Sequence, residues 1–181
     1  MKLCVLFPGV GYTVDRPLLY YSKKKALKLG YEVIELKFKD LPKDIKGDKE
    51  KQKEAYRLCL EQAEKKLKDI DWGSYSDILF VGKSIGTVIA ASYAQSIEDK
   101  LKTEIRFLYM TPLAETFSLA RPKSGIVFTG TADPWVVHEE IVEAAKKLEL
   151  PCYIYENANH SLETGDVARD IEIAGDVMSR W

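Results

Sequence analysis

Short apolar runs alternate with longer helix-periodic stretches along the whole chain. Residues 3–7 (LCVLF), 77–81 (DILFV) and 125–129 (GIVFT) are nearly continuous in apolar side chains, as strands buried on both faces should be. Residues 32–38 (EVIELKF) alternate instead and predict a strand with one more exposed face. Residues 104–110 (EIRFLYM) and 152–155 (CYIY) complete a set of about six strands.

The helical stretches fall between these runs. Pro17 starts one helix, with Asp15 placed to cap it and Gly30 to end it. Residues 48–70 set Ala55, Cys59, Gln62, Ala63, Leu67 and Ile70 near helical spacing. Residues 85–100 predict a helix rich in small side chains: Gly86, Ala90, Ala91 and Ala94. Two more helices are expected over 136–148 and 166–181. Residues 111–123, with Pro112 and Pro122, read as a loop or short turn.

Strands alternating with helices imply a mostly parallel sheet covered on both faces. The expected architecture is a three-layer α/β/α sandwich, with five or six helices, in one domain over 1–181. No repeat, linker or low-complexity tract interrupts it. Ligands of such sheets bind at the carboxyl ends of the strands. Candidate chemistry is therefore sought in residues 8–13, 82–86, 111 onward, 130–135 and 156–161.

Composition narrows the partners. The net charge is −1 and the isoelectric point about 6.2, so nothing asks for nucleic acid or an anionic membrane. Lysine runs at 22–25 and 65–68 read as solvated helix faces. Cys4, Cys59 and Cys152 are odd in number, widely spaced and set in apolar runs, so neither a disulfide framework nor a zinc site is expected. The opening MKLCVLFPG is too short in apolar residues for a signal peptide, and no stretch approaches a membrane span. The expectation is a cytoplasmic protein.

The sequence VGKSIGT at 81–87 admits two machines. A phosphate-binding loop, G-x-x-x-x-G-K-[ST], would need glycine at position 77. That position is Asp77, inside a strand, where a carboxylate would repel the phosphate. Gly9-Val10-Gly11 likewise lacks the third glycine of a dinucleotide fingerprint, since position 14 is Val14. The alternative is a G-x-S-x-G nucleophile elbow at a strand-to-helix junction, with Ser84 on a strained turn and glycines where strand and helix nearly touch.

A serine nucleophile needs a base, and the base needs an orienting carboxylate. The chain has two histidines. His138 falls in a helix and reads as a surface residue. His160, in NANHSL after the last strand, falls at the ligand edge and is the candidate base. Asp133, in GTADPWV, is the candidate acid, although it could also cap a helix ahead of Pro134. Glu156 and Glu115 are placed less well.

With VGKSIGT, GTADPWV and NANHSL in that order, and the glycine-rich FPGVGYT after the first strand, the chain resembles a small α/β-hydrolase over essentially its whole length. That resemblance implies an oxyanion hole from the backbone N–H groups of Ile85 and, by position, Val10, with Gly11 or Tyr12 as alternatives. Pro8 stands where the family often has histidine. With the first strand at residue 2, the family's opening antiparallel hairpin is not expected, and 111–123 is too short for a cap domain. A minimal, lidless enzyme with an open, shallow site is therefore expected, with Tyr12, Leu113, Phe117 and Trp135 as apolar walls.

The resemblance implies a serine hydrolase acting on small carboxylic esters, a small-molecule acyl substrate, and no metal or organic cofactor. The same triad would serve a thioesterase or a small amidase or peptidase. A non-catalytic binding protein on this fold is the rival of a different class.

Overall fold

In the computed structural model, which describes residues 1–181, six strands form one sheet in the order β2-β1-β3-β4-β5-β6. The strands are β1 (Lys2–Phe7), β2 (Glu32–Glu35), β3 (Asp77–Lys83), β4 (Ile105–Met110), β5 (Gly125–Gly130) and β6 (Cys152–Tyr155). Every pairing is parallel. The helices are α1 (Pro17–Lys28), α2 (Lys49–Leu67), α3 (Ile85–Ser96), the single turn α4 (Thr116–Leu119), α5 (His138–Lys147) and α6 (Val167–Ser179).

Strand periodicity divides the core in two. Leu3, Val5 and Phe7 of β1 face one way with Ile78 and Phe80 of β3, against apolar stripes of α2, α3 and α5. Cys4, Leu6, Leu79 and Val81 face the other way, against α1 and α6. The central strands are thus buried on both faces, which is why they read as continuous apolar runs. The three-layer architecture is as expected. No helix is long and apolar enough to cross a membrane.

Several boundaries differ from the sequence reading. The strand expected over 32–38 pairs only across Glu32–Glu35. Leu36 still donates to the Leu6 carbonyl at 3.0 Å, and then the chain leaves the sheet. Leu36 and Phe38 pack into the core from irregular backbone, so apolar alternation outlasts the ladder. The cap of α1 is Arg16, without a side-chain bond, rather than Asp15. The helix expected over 85–100 ends at Ser96, and a 3-10 turn, Glu98–Lys100, follows it. The helix expected from 136 begins at His138.

The chain moves from β1 outward to β2, then crosses back to lay β3 on β1's other side. A crevice opens where the winding reverses, beyond the carboxyl ends of β1 and β3. Two glycines let the elements close up there. A Cβ on Gly86 would lie 2.1 Å from the Phe7 carbonyl oxygen, and one on Gly82 would lie 2.7 Å from Thr87 Cα.

This contact makes a stability prediction. Gly86→Ala is expected to destabilise the fold by about 3 kcal/mol, because rigid backbone must move to admit the methyl. Gly175→Ala, at an exposed position of α6 where a Cβ meets nothing within 4 Å, is expected to stabilise it by about 0.5–1 kcal/mol. Urea unfolding of both variants checks the pair.

Candidate active site

Ser84 stands between the end of β3 and the first turn of α3, with φ 56° and ψ −126°. Few non-glycine residues adopt such a conformation, and holding it costs about 1–3 kcal/mol. Its N–H donates to the Met110 carbonyl at 3.0 Å, and its carbonyl accepts from Thr87 N at 2.9 Å and Thr87 Oγ1 at 2.7 Å. The turn is thereby tied to β4 and α3, and the side chain points off the sheet edge.

His160 Nε2 lies 2.7 Å from Ser84 Oγ, and His160 Nδ1 lies 2.6 Å from Asp133 Oδ2. The Asp133 side chain is fully buried, while that of His160 keeps 16% exposure. Asp133 Oδ1 accepts from Trp135 N at 2.9 Å, so the carboxylate does cap the local turn. The helix cap also considered for Asp133 is not formed, because α5 begins only at His138 with Val137 as its cap; the carboxylate instead holds the turn ahead of that helix. His138 joins none of this.

The loops carrying Asp133 and His160 are stitched together. Ala132 N donates to the Ala158 carbonyl at 3.0 Å, and Asn157 N donates to Thr131 Oγ1 at 2.8 Å. Asn159 Oδ1 accepts from Ser161 N at 2.7 Å and Glu163 N at 3.2 Å, fixing the turn just past His160. Thr111 Oγ1 donates to the His160 carbonyl at 3.0 Å. Thr111, with φ 42°, and Asn159 are supports that the sequence reading did not assign. Their side-chain bonds are visible only once the strand ends are brought together.

Burial, the largest influence on His160, pulls its proton affinity below the ordinary 6.5. The Asp133 carboxylate opposes that shift, and the Lys83 and Lys46 charges add to it.

On the opposite side of Ser84, Gly9 and Tyr12 exchange backbone bonds of 3.1 and 3.3 Å across a tight turn, with Gly11 at φ 73°. The Val10 N–H in this turn has no protein acceptor. Ile85 opens α3, where a backbone N–H has no intrahelical partner. A Cβ on Gly9 would be 3.2 Å from Ser84 Cβ, so the turn lies directly against the serine.

The cavity over Ser84 and His160 has a volume of about 880 Å³. Part of its wall comes from a segment that the sequence reading did not assign. Ile45 and the first turns of α2, including Lys49, Gln52 and Tyr56, close it. Parallel crossovers start every helix at the carboxyl edge of the sheet, so the register of α2 held the signal. Tyr12, Leu113 and Trp135 line the cavity as expected. Phe117 does not: it turns inward and packs on the α2–α3 core. Tyr12 also anchors α1, accepting from Leu18 N at 3.1 Å. The Trp135 ring is 5.5 Å from the His160 ring, with the Lys46 ammonium 5.6 Å from the Trp135 centroid.

No known protein-family model matches the sequence, and no curated protein does. Solved structures do match. A serine hydrolase without lid from Xanthomonas campestris is 15% identical, with 98% of this chain and 79% of that one covered and a TM-score of 0.61. An alpha-beta serine hydrolase homologue from Coxiella burnetii is 18% identical, with 99% and 84% covered and a TM-score of 0.56. Est1E from Butyrivibrio proteoclasticus, with ferulic acid bound, is 11% identical, with 99% and 89% covered and a TM-score of 0.64. At such identities the likeness is one of architecture, and it agrees with the sheet order, the elbow and the short β4–β5 connection: this chain has the α/β-hydrolase fold in a minimal form without a cap domain.

Proposed function

We propose that the protein is a serine hydrolase that cleaves small carboxylic esters through an acyl-enzyme. The observation that carries this reading is the unbroken hydrogen-bonded chain from buried Asp133 through His160 to Ser84, opening on a cavity.

Ser84 Oγ attacks the acyl carbon while His160 Nε2 takes its proton. The carbonyl π electrons move to oxygen, and the Ile85 and Val10 N–H groups stabilise that oxyanion, each donor being worth roughly 3 kcal/mol in comparable enzymes. The ester C–O bond then breaks, and the leaving alkoxide takes the proton from Nε2. Water repeats the cycle on the acyl-enzyme and releases the acid. Asp133 holds the imidazole in one tautomer and stabilises the imidazolium between steps. A cavity of about 880 Å³ has room for an acyl group and a leaving group together. Thioesters and amides would follow the same steps, with a different leaving atom.

Ser84→Ala and His160→Ala are expected to lower kcat on a short 4-nitrophenyl ester by roughly 10⁴-fold or more, and Asp133→Asn by a comparable factor, with the circular dichroism spectrum unchanged. A rate near that of the unmodified protein in any of the three would remove that residue from the reading.

The pH dependence follows from the direction of the His160 shift. Protonated His160 cannot accept the serine proton, so kcat/KM falls as pH drops through its pKa. That pKa is depressed, so the acid limb is expected to have its midpoint below 6.5. Lys46→Met removes one of the charges that depress it and should move the midpoint upward. A midpoint above 6.5, or a downward move, contradicts the assignment.

A further inference from the structure

Lys83 ends β3, one residue before the elbow serine, and is 1% exposed. Every other residue from Ile78 to Gly82 is apolar or glycine. Nothing in the fold or in the triad chemistry requires a lysine there. Its ammonium stands 4.8 Å from the centroid of the Tyr12 ring, and it makes neither a hydrogen bond nor an ion pair with any protein group. Lys83, Tyr12 and Ser84 all line the cavity.

A buried cation with open donor positions is costly, and proteins ordinarily give it an anionic or hydrogen-bonding partner. The nearby carboxylates do not fill that role. Asp133 is held by His160 and Trp135 N. Glu163 lies in the same cavity wall, and its charge favours protonated Lys83, but it falls short of an ion pair. Arg16 also lines this cavity and has no carboxylate partner. Arg16 is exposed, as one of several charged side chains around the cavity (Lys49, Glu115 and Glu140 among them), whereas Lys83 is the buried cation next to the nucleophile in sequence.

We propose that the Lys83 ammonium binds a carboxylate carried by the substrate, so that the site takes anionic rather than neutral esters. The word substrate rests on the hydrolase reading above; the anion subsite does not. Burial lowers the Lys83 pKa to about 7, and the fields of Asp133 and Glu163 oppose that fall. Below that pH the amine carries its charge, and an anionic ligand extends the charged range upward.

Two ligands with no ester bond isolate the binding step, their integrity being followed in the same spectra. 4-Acetylbenzoate and 4-acetylbenzamide are alike in shape, and the group remote from the ketone is a charged carboxylate in one and a neutral amide in the other. Titrated by protein chemical shifts at pH 6, the carboxylate is expected to bind on the order of tenfold more tightly than the amide. Lys83→Met should erase that preference. Glu163→Gln, which removes the competing carboxylate, should widen it. Equal affinities in the unmodified protein, or a preference that survives Lys83→Met, would overturn the proposal. Turnover of 4-acetoxybenzoate against 4-acetoxybenzamide is read separately. If the binding preference holds while neither ester is cleaved, the hydrolase reading fails and the anion subsite stands. If both esters are cleaved and the ligands bind equally, the subsite fails and the hydrolase reading stands.

Discussion

The backbone turn at Ser84 sets the position of everything else in the site. β3 must pass directly into α3, with the start of α3 pressed against the carbonyl end of β1. No side chain fits at Gly82 or Gly86 when the elements lie that close. The remaining geometry drives Ser84 to φ 56°, at a cost of about 1–3 kcal/mol. The sheet supplies the compensation: β3 is paired along its length with β1 and β4, and its side chains fill both cores. A strained residue in a flexible loop would relax; here it is held from both faces.

The same logic extends to the partners of Ser84. A carboxylate that is fully buried is tolerable only with its hydrogen bonds satisfied, and Asp133 divides its two oxygens between His160 and Trp135 N. His160 sits on a loop, yet Thr111, Asn159 and the bonds to the Asp133 loop leave that loop little freedom. Preorganisation of this kind is what an oxyanion-stabilising site needs, because donors already in place require no rearrangement as charge develops. Lys83 lies outside this hydrogen-bonded set while lining the cavity, which is why it is assigned to a ligand rather than to the fold.

Much of this was legible in the sequence because it depends on local pattern. Buried strands read as apolar runs, and the elbow glycines are a steric requirement at fixed spacing. Asp133 and His160 could be found because strand ends converge on one edge of a parallel sheet. What was not legible depends on tertiary contact. Phe117 was expected in the cavity, but a single helical turn rotates it into the core. The α2 wall required knowing where the β2–β3 crossover begins. The end of β2 was misplaced because Leu36 and Phe38 keep the apolar alternation after the ladder has stopped. Lys83 carried a visible signal, a charge closing an otherwise apolar strand, but its lack of a partner appears only when its surroundings are in place.

The central claim is that Ser84 is an activated nucleophile with its oxyanion donors assembled. Intact-mass analysis after exposure to a fluorophosphonate tests it most directly, because the probe needs an ionisable serine and an oxyanion hole but no knowledge of the natural substrate. The account predicts one adduct, mapped to Ser84 and absent from Ser84→Ala. A folded, unmodified protein that takes no adduct, or takes it elsewhere, would contradict the account and favour a binding role for this fold.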